Sequence, residues 1–371
     1  MIPADLPPAK GVRVVTALFA ADDELAADRD AFADLVLHLE SELRCHGVRL
    51  KLDFYDPKCH DQLLDASETA LVLYRAKIGA FGRRQMDDAY ARATTQGRNP
   101  GRLYVFFRDE EGRPLDADFV AFRDGFEKQW GHFVSRIETA EQMHLNFVLS
   151  LTGLLGGAAD KSLAHLDGYA LKVGERKIGD FRSLPLVANN AGLTALEKQL
   201  AELSQEYSTC KEAYRKDPDN GEVRDRLYKL SKEQMDLQKQ IDSELSQSFS
   251  LARRLASISA KEANEAILRA RGKAERGDLA AAQRILDEES GAQKSQIQRM
   301  LDSVRQQADV QAQYLITLRA AADVDTFRAE VVLTRTDSPF ADRLDAAGKI
   351  YEELISSLDD FVPYVAVVHR D

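Results

Sequence analysis

Any chemistry in this chain has to come from the few places where ionisable and aromatic residues crowd together. The densest is residues 74–88, "YRAKIGAFGRRQMDD", where Arg75, Lys77, Arg83 and Arg84 stand with Gln85, Asp87 and Asp88. Cations around a helix start can hold a phosphate, because the first backbone N–H groups are free and the helix dipole favours an anion. A solvated rim has the same mixed composition, and on the residues alone the rim is the simpler reading. The histidines (His38, His46, His60, His132, His144, His165 and His369) form no H-E-x-x-H pair on a helix. Cys59 and His60 are neighbours in sequence only, and they read as surface residues rather than a nucleophile and its base. Neither G-x-x-x-x-G-K-[ST] nor G-x-G-x-x-G occurs, which excludes both glycine-rich phosphate fingerprints. Cys45, Cys59 and Cys210 show no C-x-x-C and no metal-ligand spacing, so no metal is expected and a reduced, cytoplasmic compartment fits.

The elements that must position these residues alternate over residues 12 to 155. "VRVVTALFA" is a continuous apolar run, as in a strand buried on both faces of a parallel sheet. Leu25, Phe32, Leu35, Val36, Leu39 and Leu43 follow at helical spacing, with Gly47 as the stop. "VRLKLDFY" gives a second strand, "CHDQLLDAS" a short helix and "TALVLYRAKIG" a third strand. The helix holding Gln85 comes next, then the strand "RLYVFFRD", the helix "DADFVAFRDGFEKQW", the short strand "HFVSRI" and the helix "TAEQMHLNFVLSLTGLL". Five such units argue for an α/β, doubly wound, parallel five-stranded sheet of flavodoxin-like kind. Ligands of such sheets gather at the carboxyl ends of the strands, here the loops "FAADD", "YDPKCH", "YRAKIGAFGRR" and "RDEEGRP".

The alternation stops after residue 158. Residues 159–190 read as a small β-hairpin connector, with strand pieces at Tyr169–Val173 and Arg176–Ile178 around a glycine turn. From Leu193 the period becomes a heptad through Leu196, Leu200, Leu203, Tyr207, Cys210 and Tyr214. "KDPDNG" interrupts it, and the seam resumes at Val223, Leu227, Leu230, Leu237 and Ile241, so residues 191–260 read as an antiparallel coiled-coil hairpin. The seam could receive a partner, but packing within the hairpin explains it more simply. Residues 261–371 read as helical. There "LAAAQRILDEESGAQKSQIQRMLDSVRQQADVQAQYLITLRAAADV" is one long helical stretch, and "AERGDLAAAQRILDEE" has the turn of a tetratricopeptide-like pair, seen clearly once.

The formal net charge of −11 over 371 residues argues against nucleic acid or an anionic membrane as partner. No stretch approaches the roughly 18 consecutive apolar residues of a membrane span, and "MIPADLPPAKGVRVV" has no apolar signal core.

The segments "VTALFAADDELAADRDAF", "LLDASETALVLYRAKIGAF", "QMDDAYARATTQGRNPGRLYVFFRD" and "GHFVSRIETAEQMHLNFVLSL" together resemble the TIR-like domains that open bacterial proteins continuing into a helical hairpin and tetratricopeptide repeats. "LKVGERKIGDFRSLPLVANN" is similar to the strand pair and L-P-x-x-x-N-N that precede the first long helix in that group, so the likeness runs from about residue 12 to about 290. The resemblance implies one of two activities. Some TIR domains are signalling or defence scaffolds that bind a protein partner or one another, which implies a homo-oligomer. Others cleave NAD at the nicotinamide–ribose bond with the glutamate of an E-L-x-x-A at the helix after the third strand. That carboxylate steadies the positive charge that develops on the sugar as nicotinamide leaves. The stretch here is Gln85-Met86-Asp87-Asp88-Ala89, and a neutral amide cannot supply that charge. Asp87 lies about 200° round the helix from Gln85, which leaves Asp88 as the nearer carboxylate. The catalytic candidates are therefore Gln85 and Asp88. NAD or another nucleotide, cleaved or merely sensed, would meet Phe19, Ala20, Tyr74, Arg75, Phe81 and Arg83.

Overall fold

The computed structural model describes residues 13–45, 47–79, 81–95, 97–109, 115–130, 134–155, 163–258, 263–304, 309–335 and 338–359. The amino-terminal stretch 1–12 and residues 110–114 of the loop after the fourth strand lie outside them. The chain divides into two compact units, Met1–Leu184 with Arg253–Lys273, and Pro185–Ala252 with Ala274–Asp371.

The first unit is built on a five-stranded parallel sheet. Its strands are β1 (Arg13–Ala21), β2 (Val48–Phe54), β3 (Thr69–Tyr74), β4 (Arg102–Arg108) and β5 (Val134–Ile137), in the order β2-β1-β3-β4-β5. The helices between them are α1 (Ala26–Arg44), α2 (His60–Ala66), α3 (Arg83–Thr94), α4 (Ala117–Trp130) and α5 (Ala140–Leu155). Every residue of β3 is buried, and Val15 to Ala20 of β1 are buried nearly throughout, as their continuous apolar composition requires. One face of the sheet is covered by α1 and α5: Phe32 of α1 stacks on Phe19 at 4.9 Å and meets Phe147 of α5 edge-on at 4.8 Å. On the other face Val72, Tyr74, Val105 and Phe107 pack with Leu64 of α2, Met86 and Ala89 of α3, and Phe119, Phe122 and Phe126 of α4. Gly47 ends α1 as expected, at φ +70° with its N–H donating to Arg44 O at 3.0 Å.

The connector holds one strand more than the sequence suggests. The strands β6 (Ala164–Asp167), β7 (Ala170–Val173) and β8 (Arg176–Asp180) form an antiparallel sheet turning at Gly168 and Gly174, both at positive φ. "AHLD" does alternate apolar and polar, but at four residues it is too short a run to stand out as a strand. This sheet belongs to the first unit: Glu141 of α5 accepts from the Asp180 N–H, and Gln142 Nε2 donates to Ser183 O at 2.7 Å.

After a single helical turn at Pro185–Ala188, the remaining helices are α6 (Ala191–Lys216), α7 (Gly221–Ser257), α8 (Glu265–Glu275), α9 (Leu279–Val304), α10 (Asp309–Thr334) and α11 (Phe340–Asp359). In the second unit α6 and α7 run antiparallel. Cys210 lies 3.5 Å from Val223 O, Arg226 pairs with Glu206, and Gln234 Nε2 donates to Ser204 Oγ at 2.9 Å. Leu193 of the α6 seam is buried and the six seam residues after it are half-buried, since two helices alone cannot enclose a stripe. The segment expected as one long helix is two, α9 and α10, folded back so that Ser290 donates to Asp325 at 2.6 Å and Asp287 pairs with Arg328. No proline or glycine occurs in "DSVRQQADV" to announce the reversal. Gly277, at φ +82°, makes the turn before α9; a Cβ there would lie 2.8 Å from Pro185 O. Among the described residues no helix is long and apolar enough to cross a membrane.

Candidate functional site

The carboxyl ends of β1, β2 and β3 bring the candidate residues to one edge of the sheet. The Tyr55 N–H donates to Phe19 O at 3.0 Å and carries the pairing one residue past β2. Asp56 then caps a short turn, its Oδ1 accepting from Lys58 N at 2.9 Å, and Pro57 leads into α2, which begins at His60. The loop after β3 is pinned by Tyr74, whose hydroxyl donates to Phe81 O at 2.5 Å. Burial pushes the Tyr74 phenol far above its ordinary range, so it stays a neutral donor. Gly79 packs directly against the Asp22 carboxyl, where a side chain of any size would collide. The loops after β1 and β3 therefore touch.

At the centre of this edge lies a knot of rings. Phe81 meets Tyr55 edge-on at 4.5 Å, and the His60 ring stands 5.8 Å from both. His60 Nε2 is 2.9 Å from Asp88 Oδ2. His60 Nδ1 and the Tyr55 hydroxyl are buried with no hydrogen-bond partner among the described residues. Burial, and secondarily Asp56, raises the Tyr55 pKa. Asp88 also accepts from Arg92 Nε at 3.1 Å, and the same guanidinium reaches Asp65 at 2.5 Å and Asp61. His60, Asp61 and Asp88 place three ligand atoms within 4.8 Å of one another. Arg92 already binds both of those carboxylates, so a metal ion would have to displace an ion-paired arginine.

Each candidate has a definite position. Gln85 is half-buried in the first turn of α3, its Oε1 lying 3.0 Å from where a Cβ on Gly82 would stand, so the amide folds back over the helix start. Asp87 is exposed, as its angular offset from Gln85 requires, and Asp88 is engaged by His60 and Arg92. Phe19, Ala20 and Tyr74 are buried in the core, with their side chains committed to packing. Arg75 donates to Glu24 O at 3.3 Å, whereas the Arg83 guanidinium lies 5.5 Å over the Phe122 ring. Lys77 and Arg84 are exposed. Two of the four cations are thus engaged within the chain, Arg75 by Glu24 O and Arg83 by the Phe122 ring, and two face solvent.

Reading the sequence for motifs passed over the His60–Asp88–Arg92 network and Tyr55. A signal was present: Asp61 and Asp65 share one face of a helix at i, i+4, as do Asp88 and Arg92. What the spacing cannot show is that the two helices face each other. A scan of family models, a search of curated proteins and a search of solved structures each find no match to the chain. The likeness to TIR-like domains therefore rests on the quoted residues.

Proposed function

We propose that the protein acts by assembly, as a signalling or defence adaptor in which the TIR-like α/β unit and the helical unit offer surfaces to a protein partner or to another copy. The observation that supports this most is the state of the carboxylates on α3. The position that would carry a catalytic glutamate is the amide Gln85, and the next acid on that side, Asp88, is bound to His60 and Arg92. A group stabilising a developing sugar cation must point its charge at open space, and neither residue does. The test is to incubate the full chain with NAD while following its mass by light scattering. The adaptor reading expects mass that grows with concentration and no nicotinamide. Nicotinamide release that disappears in Asp88→Ala would sink it.

A second reading is favoured by the knot itself. A histidine held by a carboxylate beside two rings that meet edge-on, with two buried polar atoms lacking partners among the described residues, supports a nucleotide-binding or NAD-cleaving site. Calorimetry with NAD separates this from the first reading. Heat that is lost in His60→Ala or Arg83→Ala supports the second reading, and absence of heat removes it.

A further inference from the structure

Within the second unit the start of α6, the middle of α7 and the start of α11 leave an open cleft of about 490 Å³. That volume lies in the range of small-molecule sites, roughly 300–1,000 Å³. Leu196, Pro339 and Phe340 give it apolar walls, and Phe340 is a large ring left 46 % exposed. The floor carries both signs of charge. Arg343 and Glu244 line the cleft, pair with each other, and are only 4 and 10 % exposed. Arg343 spends Nη1 on Leu333 O at 2.8 Å and Glu244 Oε2 at 3.4 Å, and Nη2 on Glu244 Oε1 at 2.5 Å. Its Nε is buried with no acceptor among the described residues. A buried donor left unanswered is costly and calls for a partner.

The chemistry of this floor selects what can lie on it. A carboxylate brought to Arg343 would stand beside Glu244 and be repelled, and an ammonium brought to Glu244 would stand beside Arg343. An uncharged amide meets neither penalty. Its carbonyl accepts from a guanidinium N–H while its own N–H donates to the carboxylate, so one flat group answers both. The other polar groups of the lining, Gln240, Ser243 and Ser338, add no charge. A single water could serve Nε, but it would leave the apolar walls uncovered.

We propose that this cleft binds a small uncharged molecule in which an amide, open-chain or within a ring, is joined to an apolar ring. The site stands apart from the assembly reading, and neither depends on the other. Calorimetry on the full chain with three compounds of nearly one shape tests it: indole-3-acetamide, indole-3-acetate and tryptamine. The amide is expected to bind at least about tenfold more tightly than the anion or the cation. Ala195 lines the cleft from an exposed position on α6, so Ala195→Trp fills the space without disturbing the core. It is expected to abolish the heat while melting stays unchanged. Arg343→Met with Glu244→Leu removes donor and acceptor together and should cost the amide its lead over the charged compounds. If that double variant folds poorly, the ranking of the three compounds and Ala195→Trp still decide. No heat from the amide, an anion or cation bound as tightly as the amide, or binding that survives Ala195→Trp overturns the site. An amide that keeps its lead in the double variant overturns the part given to the Arg343–Glu244 pair.

Discussion

Arg92 shows how much one side chain decides at the sheet edge. Its guanidinium, 11 % exposed, draws Asp61, Asp65 and Asp88 together across α2 and α3. Without it three carboxylates would face one another with only His60 between them. Arg92→Ala is expected to cost about 1–2 kcal/mol in a urea titration at neutral pH, with part recovered by adding Asp65→Asn. Arg92→Lys should keep little of the difference, because an ammonium cannot hold three acids in a fixed fork. The same residues show where sequence reading stops. That position 85 carries a neutral amide was legible, since that is a matter of residue type. The engagement of Asp88 was not, because it depends on His60 arriving from 28 positions away.

At the scale of elements, α5 carries a titration. His144 packs 6.1 Å from the Phe32 ring, and its Nε2 is buried without a partner among the described residues. Burial lowers its pKa to about 4, outweighing the upward pull of Asp28 and Glu141, and Arg176 adds to the fall. Asp28 is itself paired with Arg108 of β4. The unfolded chain, with an ordinary histidine near 6.5, binds more protons than the folded one between those values. Stability from this group is therefore complete above about pH 6.5 and is lost as pH falls towards 4, by about 3 kcal/mol in all. Urea midpoints at pH 7.5 and 5 should draw together in His144→Leu; an unchanged gap would show that other groups set it. Strands and helices with strong periodicity were readable in the chain: the apolar run of β1, the stripe of α1 and the glycine stop at Gly47 all stand as expected. The strand β6 and the break between α9 and α10 were not. The alternation in "AHLD" is too short to read as a strand, and no proline or glycine stands between the sequences of α9 and α10.

The molecule as a whole is two units with different ways of being held. The sheet unit is filled with aromatic side chains, and the helical unit holds a buried ion pair between two of its helices. Glu244 of α7 and Arg343 of α11 pair at 2.5 Å, Arg343 being 4 % exposed and donating also to Leu333 O at 2.8 Å. Breaking such a pair strands one charge in the interior. Arg343→Met alone is expected to cost about 3 kcal/mol or more, while Arg343→Met with Glu244→Leu should cost clearly less than the single change. A double variant as damaged as the sum of the two single changes would mean that the two charges contribute independently and are not coupled as a pair. That a helical region follows the sheet was legible from the change of period at Leu193. The choice of an ion pair rather than leucines at this crossing was not, because both residues read as surface charges in their own helices.

One clamp on the sheet has a consequence for how the chain is made. Arg102 of β4 donates to Ser150 O at 2.6 Å and to Ser257 O at 3.3 Å, and the Tyr104 hydroxyl lies 3.3 Å from Ala256 O. Those last carbonyls belong to a stretch synthesised long after residue 184, yet they are part of the same compact body. A growing polypeptide emerges from the ribosome at roughly 5–20 residues per second. The nascent head must wait some seconds, its clamp open, until the hairpin has been translated and its end comes back to close it. Expression of residues 1–184 alone would make that wait permanent.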